Sequence, residues 1–178
     1  MKKLVFAVSL ALAGCGGGLK IIKQAPASEL VGKTTLSTAS ADYTKGDIDG
    51  HSEQEYVASQ DDNGKHQWKD IKTGIDEEFN KALASGGGLT VEHGATKGAL
   101  LVKPIIRFIN PGSFLSASEL RMAVQVATAD GNVLDEIELS SRTSGSVYKA
   151  TDERRLRQDA QNIGEKVAKY LLARTKAQ

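Results

Sequence analysis

The sequence predicts an α/β fold of the α+β kind. It is a two-layer sandwich, with one mixed or antiparallel sheet of about five strands and two amphipathic helices packed on it. Three observations carry this expectation. One helical stripe runs through residues 65 to 85, and a second runs through residues 152 to 174. Between them, residues 119 to 139 alternate as a hairpin does.

Leu19-Lys20-Ile21-Ile22-Lys23 reads as a strand that Pro26 ends. Thr34 to Tyr43 is rich in strand formers and alternates weakly. Residues 44 to 64 are polar and broken by Gly46, Gly50 and Gly64, so a loop is expected, with a short strand at Glu55-Tyr56-Val57-Ala58. A helix follows from about Lys65 to Ser85. Its stripe is Trp68, Ile71, Ile75, Phe79, Ala82 and Leu83. Asn63 or Asp62 can cap its start, and Gly86 can close its end in the left-handed conformation.

Leu89 to Glu92 reads as a short strand. Gly98 to Ile109 is the most apolar run after the leader. Leu101, Ile105 and Ile109 share one face with Lys103 and Arg107, while Leu100, Val102, Ile106 and Phe108 share the other with Pro104. Pro104 has no N–H to donate, so a bulge or an edge position is expected there. Pro111-Gly112 stands in the order that a type II turn requires. In the hairpin, Leu120, Met122, Val124 and Val126 alternate with Arg121, Ala123, Gln125 and Ala127. Asp130-Gly131 turns the chain, and Val133, Ile137 and Leu139 return. Thr151 caps the last helix, whose stripe is Leu156, Ala160, Ile163, Val167, Tyr170 and Leu171. Ala160, Gly164 and Ala168 form a second row of small residues, expected to let the helix lie close on the sheet.

The start of the chain reads differently. Lys2 and Lys3 precede nine apolar residues and a small-residue exit, the layout of a secretory signal peptide. The apolar stretch is too short to span a bilayer, which takes about 20 residues. Leu12-Ala13-Gly14-Cys15 resembles the lipobox of bacterial lipoproteins. The resemblance implies a diacylglycerol on the Cys15 sulfur, removal of residues 1 to 14, and acylation of the new amino terminus. Two or three acyl chains would hold firmly, at about 0.8 kcal/mol per buried methylene. The alternative is an ordinary signal peptide that leaves Cys15, the only cysteine, as a free thiol. Gly16 stands where an aspartate favours inner-membrane retention, so the resemblance favours the outer membrane, with the domain facing the periplasm. The expected organisation is a signal peptide at 1–14, lipid attachment and a short linker at 15–18, and a single α/β domain at 19–178 with an acidic loop at about 42–64.

Composition narrows the function classes. Without Lys2 and Lys3 the chain carries 21 basic against 22 acidic residues, a net of −1. That balance argues against nucleic acid as a partner. With Cys15 modified, no disulfide forms within the mature chain. The charges are segregated. Residues 42 to 64 hold seven acidic side chains against Lys45, and the last 30 residues hold eight basic against four acidic. Such runs are usually solvated faces; the sharper reading is a partner surface or a cation site.

Chemical motifs are absent. His51, His66 and His93 show no ligand spacing for zinc. Asp47-Ile48-Asp49-Gly50-His51-Ser52-Glu53 resembles a calcium loop, but Ser52 stands where its glycine belongs and Ala58 where its glutamate belongs. Gly86-Gly87-Gly88 follows a helix, whereas a phosphate loop precedes one. No Gly-x-Ser-x-Gly elbow is present, and Asp135 and Glu136 would point to opposite faces of a strand. No catalytic, cofactor-binding or metal-ligating residue is singled out, and the expectation is a protein that is not an enzyme.

The apolar strand, the hairpin Leu120 to Leu134 and the final helix Ala160 to Leu171 resemble uncharacterised families of bacterial lipoproteins. The same order is similar to a fold group that includes the TolB amino-terminal domain, the curli secretion channel subunit and a lipoprotein activator of a penicillin-binding protein. The resemblance implies an envelope lipoprotein, held to membrane lipid through Cys15, that binds or scaffolds another envelope protein. The alternative is a periplasmic lipoprotein that binds a small ligand or a cation.

Overall fold

Alternation along the hairpin decides what each side of the sheet meets. In the computed structural model, which describes residues 18–93, 98–113, 116–145 and 151–176, this hairpin is the centre of a mixed seven-stranded sheet. The strands are β1 (Leu19–Lys23), β2 (Thr35–Thr38), β3 (Asp47–Ile48), β4 (Thr90–His93), β5 (Leu100–Asn110), β6 (Ser118–Ala127) and β7 (Val133–Thr143). The helices are α1 (Glu53–Ser59), α2 (Asp62–Ser85) and α3 (Asp152–Thr175), with a 3₁₀ turn at Ala27–Glu29. The spatial order is β1-β7-β6-β5-β2-β4, and β3 also pairs with β5. β1, β7, β6 and β5 are antiparallel neighbours, whereas β2 and β3 run parallel to β5 and β4 runs parallel to β2.

Among the described residues the sheet therefore has seven strands rather than about five, and the chain has three α-helices rather than two. The additions are short. β3 has two residues and α1 has seven, too few to show a period in sequence. Residues 55 to 58, expected as a strand, belong to α1. A capping box of Ser52 and Glu55 starts that helix: the Glu55 N–H donates to Ser52 Oγ, and the Ser52 N–H donates to Glu55 Oε2 at 2.9 Å. α2 begins three residues earlier than expected, because Asp61 rather than Asp62 or Asn63 accepts from the Gly64 N–H. At its other end Gly86 stays right-handed, and Gly87 and Gly88 take the positive φ instead.

One face of the sheet is apolar and covered. Leu100, Val102, Ile106 and Ile109 of β5, Leu120, Met122, Val124 and Val126 of β6, and Ile137 and Leu139 of β7 are buried there. They meet Ile75, Phe79 and Leu83 of α2 and Leu156, Ile163, Val167 and Leu171 of α3 in one hydrophobic cluster. Each such fully buried side chain contributes about 1.5–3 kcal/mol. Phe108 departs from the expected face. The ladder shifts between Ile106 and Phe108, which places Phe108 opposite Arg121 on the other side of the sheet and returns Ile109 to the core. The irregularity expected at Pro104 lies beside it. β2 leaves β5 after Thr38, and pairing resumes where the Asp42 N–H donates to the Pro104 carbonyl. The missing proline N–H faces this interruption.

The small residues of α3 face α2, not the sheet. A Cβ on Gly164 would stand 2.6 Å from the Phe79 carbonyl oxygen and 2.8 Å from Ala82 Cβ, and one on Gly86 would stand 2.6 Å from Ala168 Cβ. The two helix backbones are thus in near contact. The nearest atoms to a Cβ on Gly74 would be those of the Arg157 guanidinium, with 2.3 Å to Nε, at the tip of a flexible side chain.

This difference predicts opposite outcomes for the same substitution. Gly164→Ala forces backbone apart and is expected to cost about 1–3 kcal/mol. Gly74→Ala displaces a side chain while gaining about 1 kcal/mol of helix propensity, and is expected to be near neutral. Urea midpoints of the two variants check both.

Candidate functional site

A groove of about 950 Å³ runs along the β1/β7 edge of the sheet. Three elements meet there. Gly18, Leu19 and Lys20 form one wall where the chain enters β1. The sheet contributes Glu119, Arg121 and Arg142, and α3 contributes Asn162, Lys166 and Lys169. The groove exists because β1 is short. It pairs with β7 only from Glu136 to Leu139, so residues 140 to 143 of β7, paired with β6 on one side, have no strand on the β1 side. The Lys166 ammonium donates to the Ser140 carbonyl at 3.3 Å, and burial draws its pKa below that of a free lysine.

The sheet's second face carries charge. Glu119 accepts from Arg121 Nε at 2.6 Å and from Arg142 Nη2 at 2.5 Å. Arg121 lies over the Phe108 ring, 4.8 Å from its centroid. Glu136 accepts from Gln125 Nε2 at 3.0 Å and lies 3.7 Å from Arg107, and Glu138 lies 3.9 Å from Lys20. Burial alone would raise the pKa of Glu119, but hydrogen bonds and positive charge from Arg121 and Arg142 outweigh it and hold the carboxyl below the usual glutamate range.

Beneath the groove, α3 is fastened by two fully buried carboxylates. Asp159 accepts from Ser118 Oγ at 2.6 Å and from Ser141 Oγ and Thr143 Oγ1 at 2.8 Å each. Asp135 accepts from Tyr170 Oη at 2.7 Å, from Arg174 Nε at 2.9 Å and from the Ala25 N–H at 2.9 Å. Burial, then hydrogen bonding to Asp135 and its charge, push the Tyr170 phenol far up. Asp135 and Glu136 do point to opposite faces, as the alternation requires. Ser118 and Asp159 are both 0% exposed, so this hydroxyl and carboxylate pair is closed to solvent.

Cys15, Gly16 and Gly17 lie outside the described residues, as does the whole leader; Gly18 is the first described residue of the lead. The acidic 42–64 segment is folded rather than a plain loop. Asp42 accepts from the Thr44 N–H at 2.9 Å, Asp47 from the Gly50 N–H at 2.7 Å, and Glu55 and Asp61 serve the two helix starts. Glu53 accepts from Trp68 Nε1 at 3.1 Å and from Lys72 Nζ at 2.7 Å. Tyr43 and Tyr56 pack on Trp68 with ring centroids 5.8 and 5.0 Å away. Much of the acidity therefore shapes turns and joins α1 to α2. Among the described residues no group of three acidic, histidine or cysteine side chains could hold a metal ion. Glu119 and Arg121 were legible only as part of the hairpin's alternation, and Arg142 lies beyond Leu139, where the sequence reading ended the hairpin. Their meeting at one groove depends on strand register.

No known protein-family pattern matches the chain, and no curated protein matches it. Solved structures do. Two structures of the PelC dodecamer from Paraburkholderia phytofirmans align over 91% of this chain and 99% of that one. Their identities are 13% and 14%, with TM-scores of 0.51 and 0.52. The chain shares the PelC fold. Protein XCC0632 from Xanthomonas campestris, of family DUF330, is 8% identical, with 85% and 92% of the two chains covered and a TM-score of 0.49. A minor lipoprotein from Acinetobacter baumannii is 13% identical, with 82% and 98% covered and a TM-score of 0.41. No helix among the described residues is long and apolar enough to cross a membrane.

Two outcomes follow from the charge arrangement. Glu119 has a lowered folded-state pKa, so the stability it contributes is present above its unfolded value of about 4.3 and is lost as pH falls through the folded value. Glu119→Gln is expected to flatten the acid limb of stability below about pH 4, read from urea midpoints across that range. Asp135→Ala leaves Arg174 without its carboxylate and is expected to cost about 3–5 kcal/mol in the same assay.

Proposed function

We propose that this chain is a bacterial envelope lipoprotein, anchored through lipid on Cys15, whose non-catalytic domain binds or scaffolds another envelope protein. The observation that carries the reading is the entry of the chain. β1 begins at Leu19, four residues after Cys15, on an outer strand of the sheet and beside an uncovered charged face. A domain so close to its lipid works at the leaflet. An exposed face of cross-strand ion pairs suits a protein surface better than a reaction site. The outer membrane and a periplasm-facing domain belong to this reading through Gly16. The likeness to the TolB amino-terminal, curli-channel-subunit and activator-lipoprotein group belongs to it too, supported by the hairpin-and-helix order. PelC is a dodecamer in its solved structures, and self-assembly of this chain is one form the scaffold takes in this proposal.

A second reading, small-ligand or cation binding in the periplasm, is favoured by the groove volume, which lies within the range of ligand sites. Calcium titration by calorimetry tests its cation version, and a flat trace removes it.

The anchor has a direct test. Wild-type protein is expected to take up radioactive palmitate and to fractionate with membranes. Cys15→Ser should lose the label and remain an uncleaved precursor. Continued labelling of the variant would overturn the lipid assignment. Crosslinking of the lipidated protein in its own cells, read by mass spectrometry, identifies the partner; the absence of any crosslinked envelope protein, its own copies included, counts against the scaffold.

A further inference from the structure

The groove at the β1/β7 edge lies where the chain comes from its first residues, and its charge is unbalanced. Lys20, Arg121, Arg142, Lys166 and Lys169 line it. Glu119, Glu138 and Glu165 are its acidic side chains, which leaves two positive charges in excess. Glu119 is already engaged by both arginines, at 2.6 and 2.5 Å. The cations are accessible: the side chains of Lys20, Arg121 and Arg142 are 73%, 48% and 69% exposed. The rest of the chain does not share this excess, since the net charge after removal of the leader is −1.

The length of the lead fixes where such a groove sits. Three peptide steps separate Cys15 from Gly18, and they span at most about 11 Å. The headgroup layer on each side of a bilayer is about 5 to 8 Å deep. A wall of the groove that includes Gly18 therefore lies within about 11 Å of the attachment point, in the headgroup layer or just above it, if Cys15 carries lipid. We propose that this groove is a docking surface for the anionic lipid headgroups of the leaflet that holds the chain. The lipid on Cys15 supplies attachment, and the groove supplies orientation. Headgroup phosphates meet Lys166 and Lys169 on α3 from one side and Arg121 and Arg142 on the sheet from the other. The domain is then held with its β1/β7 edge on the membrane, and α1 and the acidic 42–64 segment, which lie beyond β6 and β5 on the β3 side of the sheet, are left to the aqueous side. Like charge supports this polarity, because the acidic segment is repelled by the same surface that attracts the groove.

The proposal rests on the anchor reading for its geometry, and the experiment separates the two. The mature chain, residues 15–178, is prepared without lipid, and its cosedimentation with vesicles is measured. Vesicles of phosphatidylglycerol mixed with phosphatidylcholine are compared with phosphatidylcholine alone, and with the mixed vesicles at high salt. Binding to the mixed vesicles is expected to exceed that to phosphatidylcholine and to fall with salt. Each basic residue at an anionic surface is worth about a five-fold change in binding. Lys166→Gln with Lys169→Gln should therefore weaken binding about 25-fold. Lys65→Gln with Lys69→Gln, on the first turns of α2 and outside the groove, should leave it within about two-fold. Because Lys166 also bonds the Ser140 carbonyl, Lys169→Gln alone is a second variant, expected to lose about five-fold at an unchanged melting temperature. Equal binding to both vesicle types overturns the groove proposal, as does an equal loss in the two double variants. The acyl mass on the Cys15 peptide judges the anchor separately, and its absence overturns that reading without touching the vesicle result.

Discussion

The placement of α3 on the hairpin depends on a buried carboxylate near each end of the contact. Asp159 on the helix reaches Ser118, Ser141 and Thr143 on the strands, and Asp135 on the strand reaches Tyr170 and Arg174 on the helix. The two fastenings are commensurate. Fifteen helical residues from Asp159 to Arg174 rise about 22 Å, and seven strand residues from Asp135 to Arg142 rise about 23 Å. A one-turn slip of the helix would strand both carboxylates in the core without partners, at about 3–5 kcal/mol for each fastening broken. Hydrophobic burial brings the helix to the sheet, and these polar contacts select one position along it. Arg155, buried against Asp152 and the Pro111 carbonyl, adds a third fix at the β5–β6 turn.

With α3 fixed, α2 has little freedom. Its Phe79–Ala82 turn lies on Gly164 and Gly86 lies on Ala168, so the two backbones interlock at glycine positions. The pair covers one face of the sheet and leaves the other to solvent. That second face is consequently built from charged cross-strand partners, with Arg121 and Arg142 sharing Glu119 and the Phe108 ring shielded by a guanidinium. The asymmetry follows from two helices being enough to cover one side of the sheet.

The long periodic elements were legible in the sequence because period and length reinforce each other there. The hairpin and α3 fall within a few residues of expectation, and Thr151 caps α3 as read. Residues 42 to 64 were not legible as structure. Part of their order comes from contacts with distant residues, such as Glu53 with Trp68 and Asp47–Ile48 with Phe108–Ile109, and the local signal, the Ser52–Glu55 capping box, opens a helix of only seven residues. The small-residue row was correctly seen on α3, but its partner was not, since a stripe of Gly and Ala shows where a backbone can approach and not which element does. The groove had no sequence signal at all. It is assembled from β1, β6, β7 and α3, and its charges look like ordinary surface alternation until the register brings them side by side.

The stretch of β7 beyond β1 has a further implication. An unpaired strand end with free backbone groups is a template on which another strand can grow. Proteins confined to a surface meet one another far more often than they would in bulk solution, so such an end is most dangerous for a chain tethered to a bilayer. Lys166 places its ammonium on the Ser140 carbonyl, and β1 carries Lys20, Lys23 and a ladder shift at Ile22 along the neighbouring edge. A strand approaching from outside would have to displace a cation and follow a kink. These side chains act as a guard against open-ended sheet extension, and under the proposed anchor that guard would favour chosen contacts over aggregation.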